Sequence, residues 1–135
     1  MLFYDLALNC WVRNPGSTSP PPIVPVLTVG SVAQMMVKFC KGEEIVTSFT
    51  AFSAGIKISG DFTGEYIAQD DAPSELGGDS YVFQFDLTTP ESRAYFTENP
   101  TAEIFTAAIM IGYTESEIDG ATGPLEIAIQ NSYLQ

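Results

Sequence analysis

The sequence contains no histidine and only 5 lysines and arginines in 135 residues. Without an imidazole, Ser-His and Cys-His nucleophile activation are excluded, along with the commonest protein metal ligand. The few cations face 17 aspartates and glutamates, and the formal net charge is −12. Such a surface repels phosphate backbones and anionic bilayers, so neither nucleic acid nor membrane is an expected partner. No apolar run approaches the roughly 18 residues that a spanning helix needs, and no basic stretch leads into an apolar one as in a secretory leader. A GxGxxG fingerprint, a phosphate-binding glycine loop and a CxxC pair are also missing. Lysine chemistry would need Lys38, Lys41 or Lys57 buried and desolvated, and surface contexts surround two of the three. An enzyme is therefore not expected.

The cysteines number only two. Cys10 and Cys40 both lie in strand-like segments, so a disulfide between them is geometrically possible; a chain made in a reducing cytosol would instead keep two buried free thiols.

What is present is a core. A 45% hydrophobic content with 12% aromatics suits a packed globule, and the length suits one domain. Residues 2–12, LFYDLALNCWV, alternate loosely and read as an N-terminal strand or arm (residues 1–13). Residues 14–22, NPGSTSPPP, read as a linker, because proline removes ladder donors and favours extended geometry. An arm that begins apolar needs something to pair with, so Leu2, Phe3, Tyr4, Leu6, Leu8 and Trp11 are candidate assembly residues.

From 23 to 135 the chain reads as an all-β antiparallel sandwich. Segments 23–30, 31–40, 45–52 and 54–60 are separated by Gly30, by Lys41-Gly42 and by short breaks. Met35, Val37 and Phe39 share one face. A turn at Gly60-Asp61 leads into 62–68, and residues 69–80 form the longest loop of the body. Tyr81, Phe83, Phe85 and Leu87 then project to one side of a half-buried strand.

That strand stops at Thr89-Pro90-Glu91, an N-cap, a proline at the first helical position and an acid in the first turn. A short inserted helix over about 90–98 follows, ending near Asn99-Pro100. It is too short to stand alone, so Tyr95 and Phe96 are expected to pack it on the sheets, and both are further candidate assembly residues. In 102–114, Phe105, Ala107, Ile109, Ile111 and Tyr113 line one face, with Ile104, Ala108 and Met110 on the other. This pattern predicts a central or interface strand. An acidic turn at 115–123 leads into the closing strand, where Leu125, Ile127 and Ile129 alternate with polar residues.

Carboxylates are the remaining source of chemistry. Asp70, Asp71, Glu75 and Asp79 cluster in the long loop, and Glu115, Glu117 and Asp119 in the last turn. Hard oxygen ligands on a loop suit calcium, although neither cluster has EF-hand spacing. Paired carboxylates could also serve glycoside hydrolysis. Tyr4 and Trp11 could stack on a sugar, though an aromatic on a strand more often packs in a core.

The order "MMVKFCKGEEIV", "AGIKISG", "GEYIA", "YVFQFDLTT" running into "PESRAYF", "EIFTAAIMIGY" and "GPLEIAIQNSY" resembles tailed-phage and prophage structural domains, the N-terminal β-sandwiches of baseplate upper proteins and of tail-fibre or receptor-binding proteins. The resemblance covers roughly residues 23–134. It is strongest at Tyr81, Phe83, Phe85, Asp86, Leu87, Thr88 and Thr89 and at Pro124 to Asn131. It implies a non-enzymatic virion component of a tail or baseplate, made in the host cytoplasm, with other tail subunits as partners and a homo-oligomer as the expected state. In that family a stalk and receptor-binding head commonly follow, whereas this sequence stops at Gln135, so the expected form is either a standalone adaptor or decoration subunit or a domain whose later parts come from another chain. The alternative is a carbohydrate- or calcium-dependent sandwich that presents loops 69–80 and 115–123 to a ligand.

Overall fold

Period-two alternation gives each strand one apolar side, and here two sheets bury those sides against each other. The computed structural model describes residues 1–58 and 66–132. In the first sheet the strand order is β2 (Cys10–Val12), β1 (Leu2–Asp5), β4 (Val32–Lys41), β9 (Ser80–Asp86) and β8 (Ser74–Leu76), with β5 (Glu44–Val46) also on β4. In the second the order is β3 (Val26–Thr28), β12 (Leu125–Gln130), β10 (Ile104–Glu115), β6 (Phe49–Ile58) and β7 (Ala68–Asp70), with β11 (Ile118–Ala121) also on β10. The chain is thus an all-β sandwich with one short helix.

Most pairings are antiparallel, as expected. Two are parallel: β1 with β4, and β12 with β3. Parallel neighbours need a crossover, and the segments joining these pairs supply it by leaving one sheet, visiting the other and returning.

Met35, Val37 and Phe39 of β4 and Phe83 and Phe85 of β9 join Ile109, Ile111, Ile127 and Ile129 in a single buried cluster. Fully burying each such side chain stabilises the fold by about 1.5–3 kcal/mol. Phe39 is the hub of its aromatic end, with Phe49 at 4.7 Å, Phe52 at 5.7 Å and Tyr81 at 6.0 Å between ring centroids. The strand β10 is central, paired to β6 on one edge and to β12 and β11 on the other. Its second face is only partly buried: Ala108 is covered and Ile104 is exposed.

The N-terminal segment is not a separate arm. Residues 2–12 form a hairpin, β1 and β2, and β1 lies between β2 and β4 within the first sheet. The break comes at Asp5, whose carboxylate accepts the N–H groups of Ala7 at 2.8 Å and Leu8 at 3.0 Å and so closes a local turn. The other oxygen accepts the N–H of Gly42 at 3.1 Å, in the turn that joins β4 to β5. There Gly42 sits at φ +62, in the left-handed region that glycine enters without cost.

Nor is 14–22 a free linker. The Arg13 N–H donates to the carbonyl of Ser19, and that of Gly16 to the carbonyl of Gly42, so the proline-rich segment is pinned as it crosses from the first sheet to the second.

Three boundaries also differ from expectation. The expected segment 45–52 is divided between β5 and β6, and its second half joins residues 54–58 in one continuous strand, β6, because Ser53-Ala54-Gly55 stays extended on β10. The loop 69–80 contains the end of β7 and all of β8. The turn in 115–123 is a hairpin closed by Ser116 and Glu117, both at positive φ, and the rest of it is largely strand, β11. The turn read at Gly60-Asp61, and the strand from 62 as far as residue 65, lie outside the described residues.

The helix α1 (Pro90–Glu98) is placed and capped as its sequence predicts. Thr89 Oγ1 accepts the N–H of Ser92 at 3.2 Å, and the Asn99 N–H closes the far end on the carbonyl of Tyr95. Tyr95 stacks on Phe105 at 4.3 Å, and Phe96 meets the same ring edge-on at 5.2 Å. The helix carries the chain from β9 in the first sheet to β10 in the second. The aromatic strand stops at Thr89 because the chain changes sheets there.

Candidate functional site

Of the eight candidate assembly residues, the structure places Tyr4, Trp11 and Phe96 inside the chain's own core. Leu2, Leu6 and Tyr95 are half-buried against that core, Phe3 is half-buried on β1, and Leu8 is exposed in the hairpin turn. Tyr4 meets Trp11 edge-on at 5.1 Å, and neither ring turns an open face to a sugar. Burial raises the Tyr4 hydroxyl above its ordinary pKa, against the lowering effect of the Gly123 N–H that donates to it.

The acidic clusters are not assembled into a site. Asp70 accepts the N–H groups of Ala72 and Gln84, and Asp71 accepts the Ser53 hydroxyl. Asp79 pairs with Lys38 at 3.1 Å, and Glu75 lies exposed on the edge strand β8. In the second cluster Glu115 pairs with Lys41 at 3.1 Å, Asp119 accepts the Thr114 hydroxyl, and Glu117 is exposed in the turn. The lysine partners hold Asp79 and Glu115 below the usual carboxylate range. Among the described residues no three carboxylates, cysteines or histidines stand close enough to hold a metal. Of the four carboxylates expected as calcium ligands, Asp70, Asp71 and Asp79 are each held by a separate partner and Glu75 is exposed on β8, and the described residues do not bring them together.

The cysteines can be placed as well. Cys10 on β2 and Cys40 on β4 are both direct neighbours of Asp5, one on each side of β1. Two inter-strand spacings, about 9.5 Å, separate them. A disulfide tolerates about 7 Å between Cα atoms at most, so both are free.

A further surface feature is an open groove of about 440 Å³ where β1 begins, lined mostly by apolar residues but exposing polar and apolar surface in about equal parts. Its floor is the buried Met35 and Leu27, and its walls include the exposed Met36, Val26 and Ile23. Sequence explains its shape. Pro21, Pro22 and Pro25 keep the crossing segment extended and cannot donate to a neighbouring strand, so the segment passes beside β4 without pairing to it. Arg13, at the end of β2, is the sole charged residue lining the groove, and it makes no ion pair among the described residues.

Sequence reasoning passed over this site. Its signal was Met36, opposite in phase to the buried Met35, Val37 and Phe39, together with the apolar Ile23-Val24 that follows the prolines.

No protein-family model matches the chain, and no curated protein matches it closely enough to count as a relative. Fold alone therefore defines the class: a two-sheet β-sandwich with one short helix. None of its described helical residues forms a helix long and apolar enough to cross a membrane.

Proposed function

We propose that this chain is a non-enzymatic attachment subunit of a tail or baseplate particle of the tailed-phage kind, resident in the virion and bound to other particle subunits, including copies of itself. The attachment part rests on one observation. Exposed large apolar side chains, among them Met1, Ile23, Val26 and Met36, converge on a groove at the sandwich edge. On an acidic domain whose core is otherwise closed, a contiguous apolar surface of this kind marks a contact with another macromolecule. The phage part rests on the sequence resemblance at 81–89 and 124–131.

The first test is molar mass by size exclusion with light scattering at low and moderate salt. A defined oligomer, stronger at moderate salt as repulsion between −12 chains is screened, is the expected result. A monomer at both salts, up to millimolar protein, would remove self-assembly from this reading.

A further inference from the structure

The groove is more than a hollow, because it lies beyond the start of β1, where no described strand pairs with that edge of β4. The strand β4 runs from Val32 to Lys41, and β9 pairs with its first half through residues 32–37. On the opposite edge β1 pairs only from Val37 to Cys40. Residues 32–36 therefore have a partner on one side and, among the described residues, none on the other.

The direction of their backbone groups follows from alternation. The carbonyl of Cys40 accepts the N–H of Leu6, so it points to the β1 edge. Backbone groups on a strand turn to the same edge at every second residue, so those of Met36 and Gln34 point that way too. On the other edge the carbonyl of Ser31 accepts the N–H of Leu87, in the complementary phase. Gln34 and Met36 both line the groove, so its base presents ladder donors and acceptors as well as apolar side chains.

We propose that this slot receives one extended segment of a different polypeptide, apolar at alternate positions and bearing a carboxylate that meets Arg13, which adds as a strand to the free edge of β4 at residues 32–36. An acyl chain would fill the apolar walls but leave the backbone groups of Gln34 and Met36 unpaired, whereas a peptide strand satisfies both. Charge selects the partner. Arg13 makes no ion pair among the described residues of a chain of net charge −12, so it favours a local carboxylate, while a whole second copy would bring −12 against −12. The inference rests on the attachment reading but reverses the expected direction of strand exchange: the N-terminal strand is already used within the sheet, and the chain acts as recipient.

The test is selection from a random nonapeptide display library against the intact chain, followed by amide exchange with the enriched peptide. The expected winners alternate apolar and polar residues and carry an aspartate or glutamate. Their binding slows exchange at Gln34 at least about tenfold, and Arg13→Glu, an exposed substitution, weakens affinity about tenfold, equivalent to 1.4 kcal/mol. Val26→Glu, also exposed, abolishes binding while circular dichroism stays unchanged.

Absence of any enriched sequence would overturn the proposal, as would binders that leave Gln34 exchange or the Arg13→Glu affinity unaltered. Laurate binding as tightly as the peptide, with Gln34 still exchanging freely, would make the groove a lipid site. Protection of Gln34 that grows with protein concentration alone would make the occupant a second copy. These outcomes are separate from the mass measurement, because an oligomer built on another surface leaves Gln34 unprotected, and a monomer can still bind the peptide.

Discussion

Trp11 donates its indole N–H to the carbonyl of Gly123 at 2.9 Å, and the Gly123 N–H in turn donates to the hydroxyl of Tyr4 at 3.2 Å. Two hydrogen bonds thus tie the first hairpin to the connection between β11 and β12, more than a hundred residues along the chain. Because Tyr4 and Trp11 also belong to the common core, the N-terminal hairpin is a structural part of the domain.

Removing residues 1–13 should therefore unfold the protein, since it would take Tyr4, Trp11 and Val12 out of the core and strip β4 of one of its strand neighbours. Trp11→Ala should cost about 3–5 kcal/mol, read as a lowered urea midpoint by circular dichroism. A truncated chain that keeps its cooperative unfolding transition would contradict this.

Asp5 is nearly inaccessible and its carboxylate accepts three backbone N–H groups, from Ala7, Leu8 and Gly42. Asp5→Ala leaves three donors unpaired in two turns and should destabilise by about 3 kcal/mol or more. Asp5→Asn, which keeps an acceptor oxygen, should lose less. Equal losses in chemical denaturation would show that the carboxylate's hydrogen bonds are not what holds the two turns.

The inserted helix depends on its aromatic contacts more than on its cap. Phe96→Ala should cost about 3–5 kcal/mol by removing a buried ring from Phe105, and Thr89→Ala about 1 kcal/mol by removing the cap. Thermal unfolding of both variants gives the ranking, and a cap loss exceeding the aromatic one would reverse it.

Cys40 is buried, and that burial, with the nearby Asp5 charge, raises its thiol pKa, whereas Cys10 is half-exposed. A thiol reagent applied without reductant should titrate Cys10 in the native protein and both thiols in urea. Two unreactive sulfurs in urea would instead mean a disulfide.

Asp79 and Glu115 are held below their usual pKa by Lys38 and Lys41. A depressed folded-state value stabilises the fold above the unfolded-state pKa, and the contribution is lost as pH falls through the folded one. Lys38→Met should therefore lower Tm slightly near neutral pH and have no effect near pH 2. The exposed position of the pair keeps the effect small. An unchanged difference between variant and parent at both pH values would contradict the assignment.

The sequence by itself determined what depends on near neighbours. The run Tyr81, Phe83, Phe85, Leu87 sets a buried strand face through period two. Thr89-Pro90-Glu91 sets a helix start through cap geometry, and Met35, Val37, Phe39 set the core side of β4. The absence of histidine and the −12 charge likewise bound the chemistry without reference to the fold.

Tertiary structure decided which strands become neighbours. Residues 2–5 pair with residues 37–40, and no local pattern distinguishes an edge that finds its partner in the same chain from one that waits for another. The left-handed turn at Ser116-Glu117 escaped for a related reason: neither residue favours positive φ, and the register of β10 against β11 imposes it. The carboxylates of the acidic loop are close in sequence, yet among the described residues no three of them stand close together. The groove exists because β1 begins at Leu2, opposite Val37, while β4 begins five residues earlier at Val32. That offset is a property of register between distant segments, which no local pattern encodes.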